Sequence, residues 1–298
     1  MSTVRQATAQ VGGVPTVGVD VPICAVFLAM FVALASTHMT IFQANRRRGH
    51  KFLFNGFCFG FTMSRIAACV FRIVWAARPT DVDIALVASV FLNAGILLVY
   101  IINNLLSWRM VRSSAPSVGW HPVLRIANKC FLWLVLGLIL PLIVIIVLRV
   151  KKPTLDHVQT ASKVVSRLAQ TYFLVIAFGS ALLLAIAAYS ERAHGVKDPF
   201  GRGSWHGKLI ILCLSVTLAT VEAGFRCGTT WAPARLATNP AWWDSKAAFY
   251  CFNFTIDVCI LILFAAGRID RRLHVPDGAS GRKSYGQSGA LNGDFALK

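Results

Sequence analysis

The chain has 298 residues, of which 56% are hydrophobic and 14% charged, and its formal net charge is +18 at pH 7. This composition excludes an ordinary soluble domain, because too few polar side chains remain to cover an apolar core. The basic residues lie mainly in short loops between apolar stretches, where they set topology and contact anionic lipid headgroups. We therefore expect membrane lipids as partners and no nucleic-acid partner.

Seven apolar stretches are each long enough to cross a hydrocarbon layer of about 30 Å, which takes about 20 residues of helix. In chain order they are residues 21–42, 53–77, 84–107, 130–148, 172–189, 209–225 and 247–267. The sequence therefore predicts an all-α polytopic membrane protein with seven transmembrane helices. Its three parts are an extracytoplasmic tail over 1–20, a transmembrane domain over 21–267, and a flexible basic cytoplasmic tail over 268–298.

The distribution of Lys and Arg predicts the orientation. The loops on the side of the C terminus carry more basic residues than those on the side of the N terminus. Arg46, Arg47 and Arg48 directly follow the first stretch, whereas the basic residues within 149–167 argue for the opposite orientation. Because basic loops favour the cytoplasm, we predict an N terminus outside and a C terminus inside. The expected location is the plasma membrane or an endomembrane.

A few polar side chains interrupt the apolar stretches, where a charge costs about 2.5–3.5 kcal/mol at mid-helix. The candidates for an intramembrane polar or ligand site are Arg65, Arg72, Asn93, Glu222, Arg226, Asn253 and Asp257. Matching their depths at 1.5 Å per residue predicts that Arg65 pairs with Asp257. It also predicts that Arg72 pairs with Glu222. These groups would either line a water-accessible cavity between helices 2, 6 and 7 or form static pairs that fix helix packing.

A weak recurrence suggests an internal repeat. The second stretch ends with Phe71-Arg72 and the sixth with Phe225-Arg226, each followed by Trp-Ala and another Arg. This recurrence predicts two parallel bundles, helices 1–3 and helices 5–7, joined by helix 4, as in some transporters.

Motifs for catalysis are missing from the sequence. It has no His-x-x-x-His pair, no Gly-x-Ser-x-Gly elbow, and no Cys pair with metal-ligand or disulfide-framework spacing. We therefore expect no enzyme activity, no catalytic residue, no metal and no cofactor.

Short motifs near the helix ends carry a resemblance to known families. They are Gly18-Val19-Asp20-Val21-Pro22-Ile23, Asn45 with Arg48-Gly49-His50-Lys51-Phe52, Gly119-Trp120, and Arg268 through Pro276. The chain resembles an uncharacterised family of fungal seven-helix membrane proteins, sometimes labelled family-C-like G-protein-coupled receptors. That resemblance implies location and topology. In Phe225-Arg226 and in Tyr250 through Asp257, the chain is more loosely similar to the fungal lipid-translocating exporter family linked to aminocholesterol resistance.

Three functions remain open at this point. The first is transport or translocation of a small amphiphile or lipid, with the amphiphilic ligand among helices 2, 3, 6 and 7. The second is a seven-transmembrane signalling receptor, in which loops 107–129 and 190–208 meet a cytoplasmic partner. The third is a membrane scaffold. We favour the first as the working hypothesis, with Arg72 and Glu222 as an outer gate and Arg65 and Asp257 as a mid-membrane pair.

Overall fold

The computed structural model describes residues 9–49, 52–151, 155–276, 279, 281, 282, 284 and 285. Within these residues, seven helices are long and apolar enough to cross a membrane, and none of the regular elements is a β-strand. They are α1 (Val17–Arg47), α2 (Phe54–Ala77), α3 (Val82–Ser114), α4 (Pro122–Lys151), α5 (Asp156–His194), α6 (Trp205–Trp231) and α7 (Lys246–Ala266). The predicted fold class is confirmed, and the chain is a multi-pass membrane protein.

The helices are longer than the apolar stretches that predicted them. α5 has 39 residues, about 58 Å at 1.5 Å per residue, which is well beyond the predicted span 172–189. α1 begins at Val17, so Asp20 lies within a helix rather than in the predicted tail. The difference arises because a helix continues its hydrogen bonds beyond the hydrocarbon layer, whereas hydropathy reports only the part inside it.

Neighbouring helices in space are mostly neighbours in sequence. α2 packs on α1 and α3, α5 packs on α3, α4 and α6, and α7 contacts α1 and α6. α4 lies at the edge of the bundle, where Trp133 and Leu140 are 70% and 69% exposed and would face lipid tails. The parallel repeat stays a prediction that superposition of the two bundles would test.

α3 is broken near its middle. Its two segments are Val82–Gly95 and Leu97–Ser114, and Ile96 lies between them. α2 approaches this break closely, because a Cβ on Gly95 would lie 2.6 Å from the hydroxyl of Ser64. The break is therefore held against α2 rather than exposed to lipid, as irregular backbone inside a membrane must be.

α7 is also irregular. A π-helical segment, Cys251–Thr255, separates an initial α-helical turn, Lys246–Tyr250, from the longer segment Ile256–Ala266. The hydroxyl of Thr255 donates to the carbonyl of Tyr250, five residues earlier, at 3.3 Å. Such π-helical insertions occur often at functional sites, and this one ends two residues before Asp257.

The residues that follow α7 pack against the end of the bundle. Asp270 accepts hydrogen bonds from Asn45 and Arg268. Burial acts to raise the pKa of Asp270, but these hydrogen bonds hold it below its ordinary value. Tyr285 is buried against Trp120. The residues directly after α7 and Tyr285 therefore pack on the bundle, and residues 1–8, 277, 278, 280, 283 and 286–298 of the predicted tails lie outside the described residues.

Candidate functional site

The centre of the bundle contains a fully buried ion pair between α2 and α7. The Nε of Arg65 donates to Oδ2 of Asp257 at 2.6 Å, and both side chains are 0% exposed. The Nη1 of Arg65 donates to the carbonyl of Leu92, shortly before the break in α3, at 2.7 Å. Arg65 also lies over the ring of Phe61, at 5.0 Å from its centroid. The predicted pairing of Arg65 with Asp257 is confirmed.

A second ion pair on α6 extends this pair into a network. Arg226 donates from Nε to Glu222 Oε1 at 3.0 Å, one helical turn apart. The same carboxylate oxygen lies 3.8 Å from Nη2 of Arg65. The Nη1 of Arg226 donates to Oδ1 of Asn93 at 3.3 Å. We call Arg65, Asp257, Glu222, Arg226 and Asn93 the central network.

The central network is balanced in charge but not in hydrogen bonds. Two guanidinium groups face two carboxylates, so the ionised groups sum to zero. Yet Arg65 Nη2, Glu222 Oε2 and Asp257 Oδ1 are buried with no hydrogen-bond partner among the described residues. Buried polar atoms are usually satisfied, and unsatisfied ones mark sites under strain or with a function.

Arg72 belongs to a different cluster, nearer the end of α2. Its Nη2 donates to Asp20 Oδ1 at 2.8 Å, and its Nε donates to the hydroxyl of Tyr250 at 3.0 Å. Asp20 is 0% exposed and is also bonded to Lys246. We call Asp20, Arg72, Lys246 and Tyr250 the outer cluster. The predicted pairing of Arg72 with Glu222 is wrong, because an acid on the adjacent helix α1 takes its place.

Asn253 does not join either group through a hydrogen bond in the described part of the chain. Its Nδ2 donates to the carbonyl of Phe249 on its own helix at 2.9 Å. Asn93 makes the equivalent bond to Ser89 at 2.8 Å, but its oxygen remains available for Arg226. Of the seven candidate residues, five thus form the central network, Arg72 lies in the outer cluster, and Asn253 supports the backbone of α7.

A cavity of about 520 Å³ lies beside the central network, between α3, α4, α5 and the end of α6, and residues 9–11 complete its wall. Asn93 lines this cavity and so belongs to both the cavity and the network. It lies 11 residues into α3, about 16 Å along the helix. Leu142 and Ile146 of α4 form an apolar part of the wall. The cavity is therefore offset from the predicted position between helices 2, 6 and 7.

Sequence reasoning missed Asp20 and Tyr250. Asp20 directly precedes the first apolar stretch, and it was assigned to the tail because the hydropathy signal begins one residue later. A signal was present: a helix that crosses a membrane begins before its apolar run, so a lone acid within its first turn can reach inward. Tyr250 begins the segment that resembles the lipid-translocating exporters, but its polar partners gave no signal, since an aromatic residue near a helix end is typical of the membrane interface.

A family model matches part of the chain. Residues 201–274 match a family model described as "Protein of unknown function (DUF3112)". The matched part includes α6 and α7, and with them Glu222, Arg226 and Asp257. The matched part does not include Arg65, Asn93, Asp20 or Arg72, which lie earlier in the chain. No curated protein and no solved structure matches the chain significantly.

Proposed function

We propose that the protein transports or translocates a small amphiphile or lipid. The observation that carries this proposal is the cavity of about 520 Å³ that meets the central network at Asn93. Its volume falls in the range of about 300–1,000 Å³ that is typical of small-molecule sites. It combines a polar mouth at one membrane face with the apolar wall formed by Leu142 and Ile146. An amphiphile matches both parts.

The irregular helices support movement of the ligand rather than static binding. Broken helices line the substrate sites of many secondary transporters, because they place backbone polar groups inside the membrane. Here α3 is interrupted at Ile96, whose backbone angles stay in the α-helical region, and α7 contains a π-helical segment. Both irregularities lie near Arg65 or its partner Asp257. A ligand that reaches Asn93 competes for Arg226 and so shifts the balance of the ion pairs. The likeness to fungal lipid-translocating exporters supports the same proposal.

A cavity-filling variant tests the proposal directly. Ser166 on α5 lines the cavity, whereas Leu168 on the same helix is 62% exposed. Ser166→Trp would fill part of the cavity, and a loss of about 1–3 kcal/mol in ligand binding corresponds to ligand movement slowed about 5- to 150-fold. Leu168→Trp, the matched control, should leave the rate unchanged. The measurement is the protein-dependent movement of a fluorescent phospholipid between leaflets of reconstituted vesicles.

Two results would contradict the proposal. The first is that phospholipid moves between leaflets no faster in vesicles with the protein than in empty vesicles. The other is an equal effect of the two Trp substitutions, which would assign the loss to general damage. If lipid movement is missing and the chain instead stimulates nucleotide exchange on a G protein, the receptor hypothesis replaces transport, with loops 107–129 and 190–208 as the partner surface.

The orientation is part of the same proposal. We place the N terminus outside and the C terminus in the cytoplasm, which puts the mouth of the cavity on the outer face. A glycosylation acceptor appended to the N terminus is then expected to be modified, and one appended to the C terminus is not. Modification of the C-terminal acceptor alone would reverse the assignment and place the mouth of the cavity in the cytoplasm.

A further inference from the structure

We infer that the cavity binds the anionic headgroup of an amphiphile, a phosphate or carboxylate carried on an alkyl or acyl chain. The inference rests on the proposed function in taking the ligand to be an amphiphile. It adds the sign of the headgroup charge and the residues that recognise it.

Basic side chains converge on the cavity from three elements. Arg149 comes from α4, Lys163 and Arg167 come from α5, and Arg235 comes from the loop between α6 and α7. One acid, Asp244, lines the cavity with them. No ion pair joins any of the four cations to a carboxylate within the part of the chain that the structure describes. The cavity therefore carries an excess of uncompensated positive charge.

Arg167 is positioned to take part in anion binding. Its guanidinium lies over the ring of Trp231, 4.9 Å from the centroid, and the indole N–H of Trp231 donates to Thr171 at 3.0 Å. The Nε of Arg167 is buried and has no hydrogen-bond partner among the described residues. A guanidinium stacked on an aromatic face keeps its edge N–H groups for a planar or tetrahedral anion.

The same cations are the ones that conflict with the charge-based orientation. Arg149, Lys163 and Arg167 belong to the basic region 149–167, which lies on the outer side in the proposed orientation. Basic residues there oppose the cytoplasmic bias. A role in holding an anionic ligand accounts for them, because their side chains line the cavity instead of serving only as topology determinants.

The apolar wall of the cavity matches the alkyl or acyl chain of the ligand. Leu142 and Ile146 lie five or more residues before Lys151, the last residue of α4, so they are deeper than Arg149 along the same helix. A headgroup at the cations therefore leaves its alkyl chain against α4, the helix at the edge of the bundle. An inorganic anion would fill the cationic part but leave this wall without an apolar partner.

The test uses titration calorimetry to measure how tightly three probes bind to the purified full chain in a neutral detergent. Dodecyl phosphate is expected to bind at least about tenfold more tightly than dodecanol or inorganic phosphate, because charge-assisted hydrogen bonds and apolar burial act together. Arg149→Gln combined with Lys163→Gln should weaken dodecyl phosphate binding about tenfold or more. Both side chains are exposed, so the fold should persist.

The control removes the same amount of charge elsewhere. Arg47→Gln combined with Arg48→Gln changes two exposed residues at the C-terminal end of α1, and neither residue lines the cavity. This double variant should leave binding unchanged. Equal losses in the two double variants, or equal affinity for dodecanol, would overturn the anionic headgroup. Equal affinity for inorganic phosphate would overturn the amphiphile. Binding as expected without phospholipid movement in vesicles would refute the proposed function and leave this inference standing.

Discussion

Asp257→Asn is expected to lower the free energy of unfolding by about 3–5 kcal/mol, the usual cost of removing one partner from a buried ion pair. The substitution keeps the size of the side chain but removes its charge. Arg65 and Arg226 then share Glu222 alone, which leaves an uncompensated positive charge where the side chains are at most 8% exposed. Thermal or denaturant unfolding of the purified protein in detergent measures the loss.

The same chemical change at a surface ion pair is the matched control. Asp83 pairs with Lys151, but both side chains are more than half exposed, so Asp83→Asn should cost at most about 1 kcal/mol. A further variant restores neutrality: Arg65→Leu with Asp257→Leu leaves Glu222 paired with Arg226 and should be more stable than either single change. If Asp257→Asn costs no more than Asp83→Asn, the central ion pair does not stabilise the fold.

A double-mutant cycle on Asp20 and Arg72 is expected to give a coupling energy of about 1–3 kcal/mol. The two side chains share a hydrogen bond of 2.8 Å, and Tyr250 bonds to both. Asp20→Asn and Arg72→Gln each remove one charge while keeping a polar side chain. The unfolding free energies of the two single variants and the double variant give the coupling.

A second double-mutant cycle, on Arg72 and Glu222, tests whether Arg72 pairs with Asp20, as the structure shows, or with Glu222, as the sequence predicted. Arg72 and Arg65 are two turns apart on α2, about 10 Å along its axis, and Glu222 contacts Arg65. The Arg72 and Glu222 cycle should therefore be additive within about 0.5 kcal/mol. A larger coupling there than in the Asp20 and Arg72 cycle would show that Arg72 is paired as the depth argument predicted.

The bundle could be predicted from the sequence because hydropathy reports the hydrocarbon layer directly. Each of the seven apolar stretches lies mainly within one observed helix. The breaks could not be predicted in the same way. Gly95 lies in a continuous apolar stretch, and the close approach of Ser64 at this position comes from another helix. Such tertiary contacts have no signature in the local pattern.

Depth along the membrane predicted one ion pair and missed the other for two reasons. An apolar stretch does not show where its helix ends, and depth does not show which helices are neighbours. Arg65 reaches Asp257 because α2 and α7 both face the centre of the bundle. Glu222 contacts Arg65, which lies about 10 Å along α2 from Arg72, so Glu222 is not at the depth of Arg72. α6 continues to Trp231, nine residues past Glu222, whereas the predicted stretch ended at 225. α2 packs directly on α1, and Asp20 on α1 pairs with Arg72.

The equal numbers of positive and negative groups in the central network have an electrical consequence. Moving one elementary charge through a membrane potential of 100 mV takes about 2.3 kcal/mol. Arg65, Arg226, Glu222 and Asp257 in their ionised forms sum to zero, so a rearrangement that carries them together does no work against the voltage. On the proposed function, the empty protein with all four groups ionised is therefore expected to cycle without sensitivity to voltage, and a charged ligand makes the cycle electrogenic.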